Sequence, residues 1–219
     1  MTADDPHWPA RRPQRETPAA GPLPVVIERL IGATERLIAT RTQQFIAGTA
    51  VPWSHPAERR AVQPQSLPAV RHLPQCLVSA PQAMRPVVEA LQAAAPVLAW
   101  RQTYSAAQMS PQFLDQYGWS ELVGLAGAVP SRACAVGFLL LGPGIKYPPH
   151  HHEALELYVP LAARAAWWRA QHGWQDVEPG ETVRHEAWEP HAMRTGSEPL
   201  LALYLWRSGN LDQHATLTG

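Results

Sequence analysis

Between Gly144 and Tyr158 the chain reads Gly-Ile-Lys-Tyr-Pro-Pro-His-His-His-Glu-Ala-Leu-Glu-Leu-Tyr, and no other stretch restricts its folding as strongly. Successive side chains of an extended strand point to opposite faces. His150, His152, Glu156 and Tyr158 therefore share one face, and Leu155, Leu157 and Val159 share the other. Polar groups turned inward by such a strand cost free energy unless an ion or a partner compensates them. Imidazoles with a carboxylate suit Zn, Fe, Mn, Co or Ni, and no nearby thiolate pair points to a structural zinc site. The segment predicts one divalent transition metal. A further ligand is expected from a partner strand, with His191 after Pro190 as first choice and His185 as second. His151 and Glu153 have the opposite parity and are expected outside the ligand set.

The surrounding pattern says what kind of core receives that strand. From Trp119 onward, short apolar or alternating runs are separated by Gly and Pro: 121–129, 133–141, 155–161, 164–168, 182–185, 191–194 and 200–206. Gly142-Pro143-Gly144, His172-Gly173, Glu178-Pro179-Gly180 and Thr195-Gly196-Ser197 mark turns. Such spacing of short strands predicts an all-β sandwich or barrel. The first half differs. Residues 1–20 carry no period and are expected to form a mobile arm. Ile27, Leu30, Ile31, Leu37, Ile38 and Phe45 recur at helical spacing and predict a helix from Val25 to about Ile46. Prolines punctuate 51–80, which predicts loops with helical turns. Met84, Val87, Val88, Leu91 and Ala94 predict a second helix from Pro81 to about Trp100, followed by a loop over 101–118 that carries Tyr104 and Tyr117. The expected domains are thus an arm (1–20), a helical region (21–118) and a β-barrel with the metal site (119–219).

Composition removes several function classes. Lys+Arg and Asp+Glu are both 18, so no net charge draws the chain to nucleic acid or to an anionic membrane. No window approaches the roughly 18 apolar residues of a membrane span, and the start of the sequence shows no apolar signal core, so the expected compartment is the cytoplasm. Cys76 and Cys134 are too few for a disulfide framework and are expected to be buried thiols. The nine Trp predict a core or pocket with large aromatic walls.

The residues quoted first resemble the cupins. Their first motif runs Gly, five residues, His-X-His, three or four residues, Glu, six residues, Gly; Gly144, His150, His152 and Glu156 match it, and Ala163 stands at the last Gly. In the second motif Gly180 and His191 keep the spacing, while Glu186, Trp188 and Thr195 stand where that motif carries Pro, Gly and Asn. Within the cupins the context is similar to the dimethylsulfoniopropionate (DMSP) lyases, on Tyr147-Pro-Pro-His150-X-His152, Glu156-Leu-Tyr158, the Trp167-Trp168 pair and His191. The resemblance implies a mainly β fold: a single-domain cupin barrel of jelly-roll type with an α-helical N-terminal extension. It implies metal ligation by His150, His152, Glu156 and His191, with Tyr158 as general base and Tyr147 as a pocket residue. It implies a carbon–sulfur lyase that forms dimethyl sulfide and acrylate.

That chemistry makes use of the residues present. A metal on the substrate carboxylate stabilises enolate-like charge as the α proton leaves. A nearby divalent cation favours phenolate at Tyr158, and aromatic faces such as Tyr147, Tyr204 and Trp206 suit the sulfonium. Trp167 and Trp168 point to opposite faces, so at most one lines the pocket, and core is the expected place for both. His172 and, if not a ligand, His185 are expected at the surface; Arg194 is expected to pair with a carboxylate. An Fe(II) dioxygenase acting on a small organic acid and a non-enzymatic ligand-binding cupin are the alternatives, since the same ligands serve both. The small-molecule substrate is the expected partner, and the N-terminal helices could form a lid or a homodimer interface.

Overall fold

The computed structural model describes residues 23–41, 51, 53 and 59–218, so the expected arm and the helix beyond Arg41 lie outside the described residues. Helix α1 (Val25–Arg41) buries Ile27, Leu30, Ile31, Leu37 and Ile38, the stripe that its spacing foretells. A 3-10 turn (Pro68–His72) leads into α2 (Leu73–Ser79), and α3 (Arg85–Ala94) buries Val87, Val88, Leu91 and Ala94. The second helix is shorter than its expected span to Trp100. Pro96 has no N–H to continue an α-helix and disfavours helical backbone before it, so the chain tightens into a 3-10 turn (Ala95–Val97). Trp100 instead starts strand β1 (Trp100–Arg101). The expected loop over 101–118 contains α4 (Pro111–Gln116), whose Ser110 cap accepts a hydrogen bond from the Phe113 N–H at 3.2 Å. Ser followed by Pro is a helix-start signal.

The strands are β2 (Tyr117–Gly124), β3 (Val129–Pro130), β4 (Cys134–Leu141), β5 (Lys146–His151), β6 (Leu155–Ala162), β7 (Ala165–Arg169), β8 (Gly173–Val177), β9 (Val183–His185), β10 (His191–Thr195), β11 (Leu200–Arg207) and β12 (Thr216–Leu217). One sheet runs β1-β2-β4-β11-β6-β9, with β3 beside β2; the other runs β12-β5-β10-β7-β8. This is the mainly β, two-sheet architecture that the strand spacing predicts, with helices a minor part. The chain does not cross His150 to Tyr158 as one strand. It breaks after His151, so His150 stands in the second sheet while Glu156 and Tyr158 stand in the first. Strand β8 carries no alternating apolar signal because Trp174, Gln175 and Asp176 at its middle are all exposed, as an edge strand allows.

Parity sorts the first sheet. Leu157, Val159, Leu161, Leu201, Leu203, Leu205, Val136, Phe138 and Leu140 join the helices in one apolar cluster. Tyr158, Ala202, Tyr204, Ala135, Leu139 and Tyr117 face inward and join Tyr147, Trp167 and Met193 of the second sheet. Burial on both faces explains why β4 is buried along its whole length and reads as a continuous apolar run.

Residues that replace cupin-motif glycines carry backbone strain. Ala163 has φ 59° where the chain turns from β6 to β7, and Trp188 has φ 63° before β10. Thr195, in the Asn position, ties the turn after β4: its hydroxyl donates to the Gly142 carbonyl at 2.7 Å and accepts from the Ile145 N–H at 2.8 Å. A left-handed conformation costs an L-residue roughly 1–2 kcal/mol, against roughly 0.5–1 kcal/mol for the extra entropy of glycine. Ala163→Gly should therefore stabilise the protein by about 0.5–1 kcal/mol, read as a higher urea midpoint with unchanged slope.

Candidate metal centre

Two rows of cross-strand neighbours inside the first sheet build the site. One runs His185, Glu156, Trp206, Ala135 across β9, β6, β11 and β4. The next runs Val183, Tyr158, Tyr204, Gly137, Glu121 and ends on β2. Facing them, His191 on β10 is opposite His150 on β5, and His152 sits in the link just past β5. The sheets thus meet at Glu156. His150, His152, Glu156, His185 and His191 are all at most 2% exposed.

The Glu156 carboxylate organises the cluster. Its Oε2 is 3.1 Å from His152 Nε2, 3.1 Å from His185 Nδ1 and 3.2 Å from His191 Nε2. Its Oε1 accepts from the Trp206 indole N–H at 2.5 Å. Ligand atoms of His152, Glu156 and His191 all lie within 4.8 Å of one another. His150 does not join that tightest group, but its ring lies 4.2 Å from that of His191.

The histidine tautomers test whether a cation fits. Nδ1 of His150, His152 and His191 lies 2.9, 2.9 and 2.8 Å from the carbonyls of Pro148, Ala154 and Glu189. A carbonyl can only accept, so each Nδ1 donates, and the lone pair of that tautomer is on Nε2. The buried Nε2 of His191 has no hydrogen-bond partner although it stands 3.2 Å from the carboxylate. Imidazole lone pairs aimed at a carboxylate need a cation between them, a proton or a metal ion. The backbone carbonyls behind the rings are the outer support that metal-binding histidines use. The donor set fits a divalent transition metal.

Electrostatics agree with that fit. Burial, then the neighbouring His191, pushes the His150 imidazole well below its ordinary value, and the same causes bring His185 to about 3. Both rings are therefore neutral at physiological pH. Burial alone would raise the Glu156 carboxyl, but positive charge and donated hydrogen bonds at the facing rings, His152 first, hold it well below the usual carboxylate range, and a metal ion between them would supply the same positive charge.

The cluster opens on a cavity of about 120 Å³ whose walls include His150, His152, Glu156, Tyr158, Tyr204 and Trp206. At roughly 10–15 Å³ per water-sized probe, this is space for a small organic ion. Tyr147 stacks on His150 at 3.9 Å and bonds Tyr104, hydroxyl to hydroxyl, at 3.0 Å, so it forms the rear wall. Trp206 lies over His152, ring centroids 4.2 Å apart. Burial first and the Glu156 carboxylate second push the Tyr158 phenol well above the ordinary tyrosine range. Trp167 is buried beside Tyr158, at 6.1 Å, and Trp168 is half-buried.

Two expectations are corrected. His185 is fully buried on β9 against Glu156 because the β6–β9 pairing points it inward. Arg194 makes no carboxylate pair among the described residues; its guanidinium lies 4.7 Å over the Trp174 ring. Other wall residues had no sequence signal. Tyr117 and Trp119 come from β2, Glu121 accepts from the Ala126 N–H at 2.6 Å, and 211–215 border the mouth. A role for these shows only when β2 and the C-terminal segment are placed in space.

Room in the cavity depends on Gly137. A Cβ there would lie 2.4 Å from the Tyr204 hydroxyl and 2.3 Å from the Ser120 carbonyl oxygen. Gly137→Ala should displace the Tyr204 ring and destabilise the fold by about 1–3 kcal/mol, measurable by urea denaturation.

Comparison with known proteins agrees with the fold. The dimethylsulfoniopropionate lyase family model matches residues 43–202. The dimethylsulfoniopropionate lyase DddQ of Ruegeria pomeroyi is 32% identical over 72% of this chain and 81% of its own length. The crystal structure of that DddQ superposes with a TM-score of 0.82 at 28% identity, covering 90% of this chain and 98% of the other. A structure described among crystal structures of the DMSP lyases RdDddP and RnDddQII gives a TM-score of 0.80 at 30% identity, over 89% and 98%.

Proposed function

The chain belongs to the dimethylsulfoniopropionate lyase family, and from that premise we propose that it cleaves DMSP by β-elimination, as a carbon–sulfur lyase. The observation that carries this reading is the buried Glu156 carboxylate, ringed by imidazole lone pairs, at the base of a small aromatic cavity. His152, Glu156 and His191 would hold one divalent ion, with His150 beside them completing the set. Bound there, a divalent cation would supply the positive charge that polarises a substrate carboxylate and draws the Tyr158 phenol toward phenolate.

Tyr158 is the base in this reading. It follows Glu156 by one inward-facing position on β6 and lines the same cavity. Its phenolate oxygen takes the proton from the carbon α to the substrate carboxylate. The C–H electron pair becomes the new C=C bond, and the C–S pair leaves with sulfur as neutral dimethyl sulfide. Acrylate remains, and the Tyr158 phenol returns its proton to solvent. Tyr204 and Trp206, with Tyr147 behind His150, offer aromatic faces to the sulfonium, at about 0.5–2 kcal/mol for each such contact. Chemistry on this account belongs to residues 119–219. The helices α2 and α3 back the first sheet, and Arg101 and Thr103 add to the cavity wall.

Headspace assay of purified protein across added Zn, Fe, Mn, Co and Ni tests the reaction. The expected result is dimethyl sulfide in step with acrylate and without O2 uptake; O2-coupled substrate loss would favour an oxygenase instead. Tyr158→Phe should keep bound metal and thermal stability while losing on the order of a hundredfold or more in kcat, the range of general-base catalysis. A near wild-type rate would remove Tyr158 from the mechanism. Because burial and Glu156 hold the phenol high, chelation should abolish turnover, and it should also lower Tm by removing ligand-linked stability, about 2.7 kcal/mol at a hundredfold excess over Kd.

A further inference from the structure

His185 lies outside the four residues assigned to the metal, yet it is as buried as any of them and touches two. Its place on β9 is directly across from Glu156 on β6, so the sheet itself sets the distance between their backbones. Nδ1 reaches Glu156 Oε2 at 3.1 Å, and the ring stacks on His191 with centroids 3.8 Å apart and planes 13° from parallel. Nε2 is buried and has no hydrogen-bond partner among the described residues. A neutral ring with its proton on Nδ1 donates to Oε2, while the Trp206 indole donates to Oε1 at 2.5 Å. Those two donors hold both carboxylate oxygens in a fixed plane.

We infer that His185 is a positioning residue of the metal centre, which orients the Glu156 carboxylate through Nδ1 and fixes the His191 ring by stacking. The role follows from the tautomer: with its proton on Nδ1, His185 donates to Oε2 and turns no lone pair toward an ion there, and Nε2 is on the far side of the ring. Rigid support of a ligand raises affinity because less freedom is lost when the ion binds, and loss of such a support costs about 10–100-fold in metal affinity. The inference rests on the metal reading of the site, but not on which substrate is cleaved.

Three variants test it, with Co(II) as the probe. Asn places its amide where His has Nδ1, Gln places its amide near Nε2, and Leu offers neither. Calorimetric titration of metal-free protein should give one Co(II) per wild-type chain. His185→Leu and His185→Gln should bind about 10–100-fold more weakly, with altered visible d–d bands, while His185→Asn should recover most of the affinity and the wild-type spectrum. Urea midpoints of the metal-free proteins report folding separately, and the comparison of Asn with Gln holds fold and polarity nearly constant. Unchanged affinity in His185→Leu would overturn the inference, as would rescue by Gln rather than Asn. Wild-type protein that takes up no Co(II) would overturn the metal centre itself, and this inference with it.

Discussion

A carboxylate with no exposed surface cannot stay ionised inside a protein without compensation, and Glu156 is such a group. It stands where the two sheets approach, with donors at His185 and Trp206 on its own sheet and the Nε2 atoms of His152 and His191 opposite. Much of the nearby architecture follows from keeping these groups in place. Backbone carbonyls set three histidine tautomers, cross-strand pairing sets the spacing of His185 and Trp206, and Tyr147 stacks behind His150. Removing any one partner leaves a buried charge or lone pair exposed to its neighbours, and such losses cost several kcal/mol. A single cation resolves the whole arrangement.

The first sheet does two jobs because it is covered on both faces. Its outer side chains seal against α2 and α3, with α1 packed on α3, which frees the inner face to carry polar and aromatic groups without giving up apolar burial. Gly137 and Ala135 lie opposite Tyr204 and Trp206, so small residues on β4 leave the space that large residues on β11 line. Trp119 and Trp206 line that cavity, and Tyr104, Phe113, Tyr117 and Tyr147 form an aromatic group behind it. Among the described residues no helix is long and apolar enough to cross a membrane.

Most strands and the grouping of His152, Glu156 and His191 were legible in the sequence because period-two patterning and motif spacing are local signals. The parity argument reached the right inward residues by a wrong route. His150 and Glu156 share an interior although they belong to different sheets, since the break at 152–154 carries the chain across the barrel without reversing which side faces in. His185, second choice as a ligand and otherwise expected at the surface, has its burial decided by the pairing of β9 with Glu156, which is a long-range fact. The end of α3 was readable from Pro96, where apolar periodicity overrode it, and α4 from Ser110-Pro111, a start signal without an apolar period behind it. Glu121 and 211–215 reach the cavity only through sheet pairing and the path of the C-terminal segment, for which no short motif exists.

Convergence of His152, Glu156 and His191 on one ion is what everything else presupposes, and anomalous diffraction from a crystal grown with a transition metal addresses it directly. The account predicts one strong anomalous peak per chain, at about 2.0–2.2 Å from His152 Nε2, a Glu156 carboxylate oxygen and His191 Nε2. A crystal that holds the metal only elsewhere, or in which those three groups bond to one another through protons with no metal density between them, would contradict it.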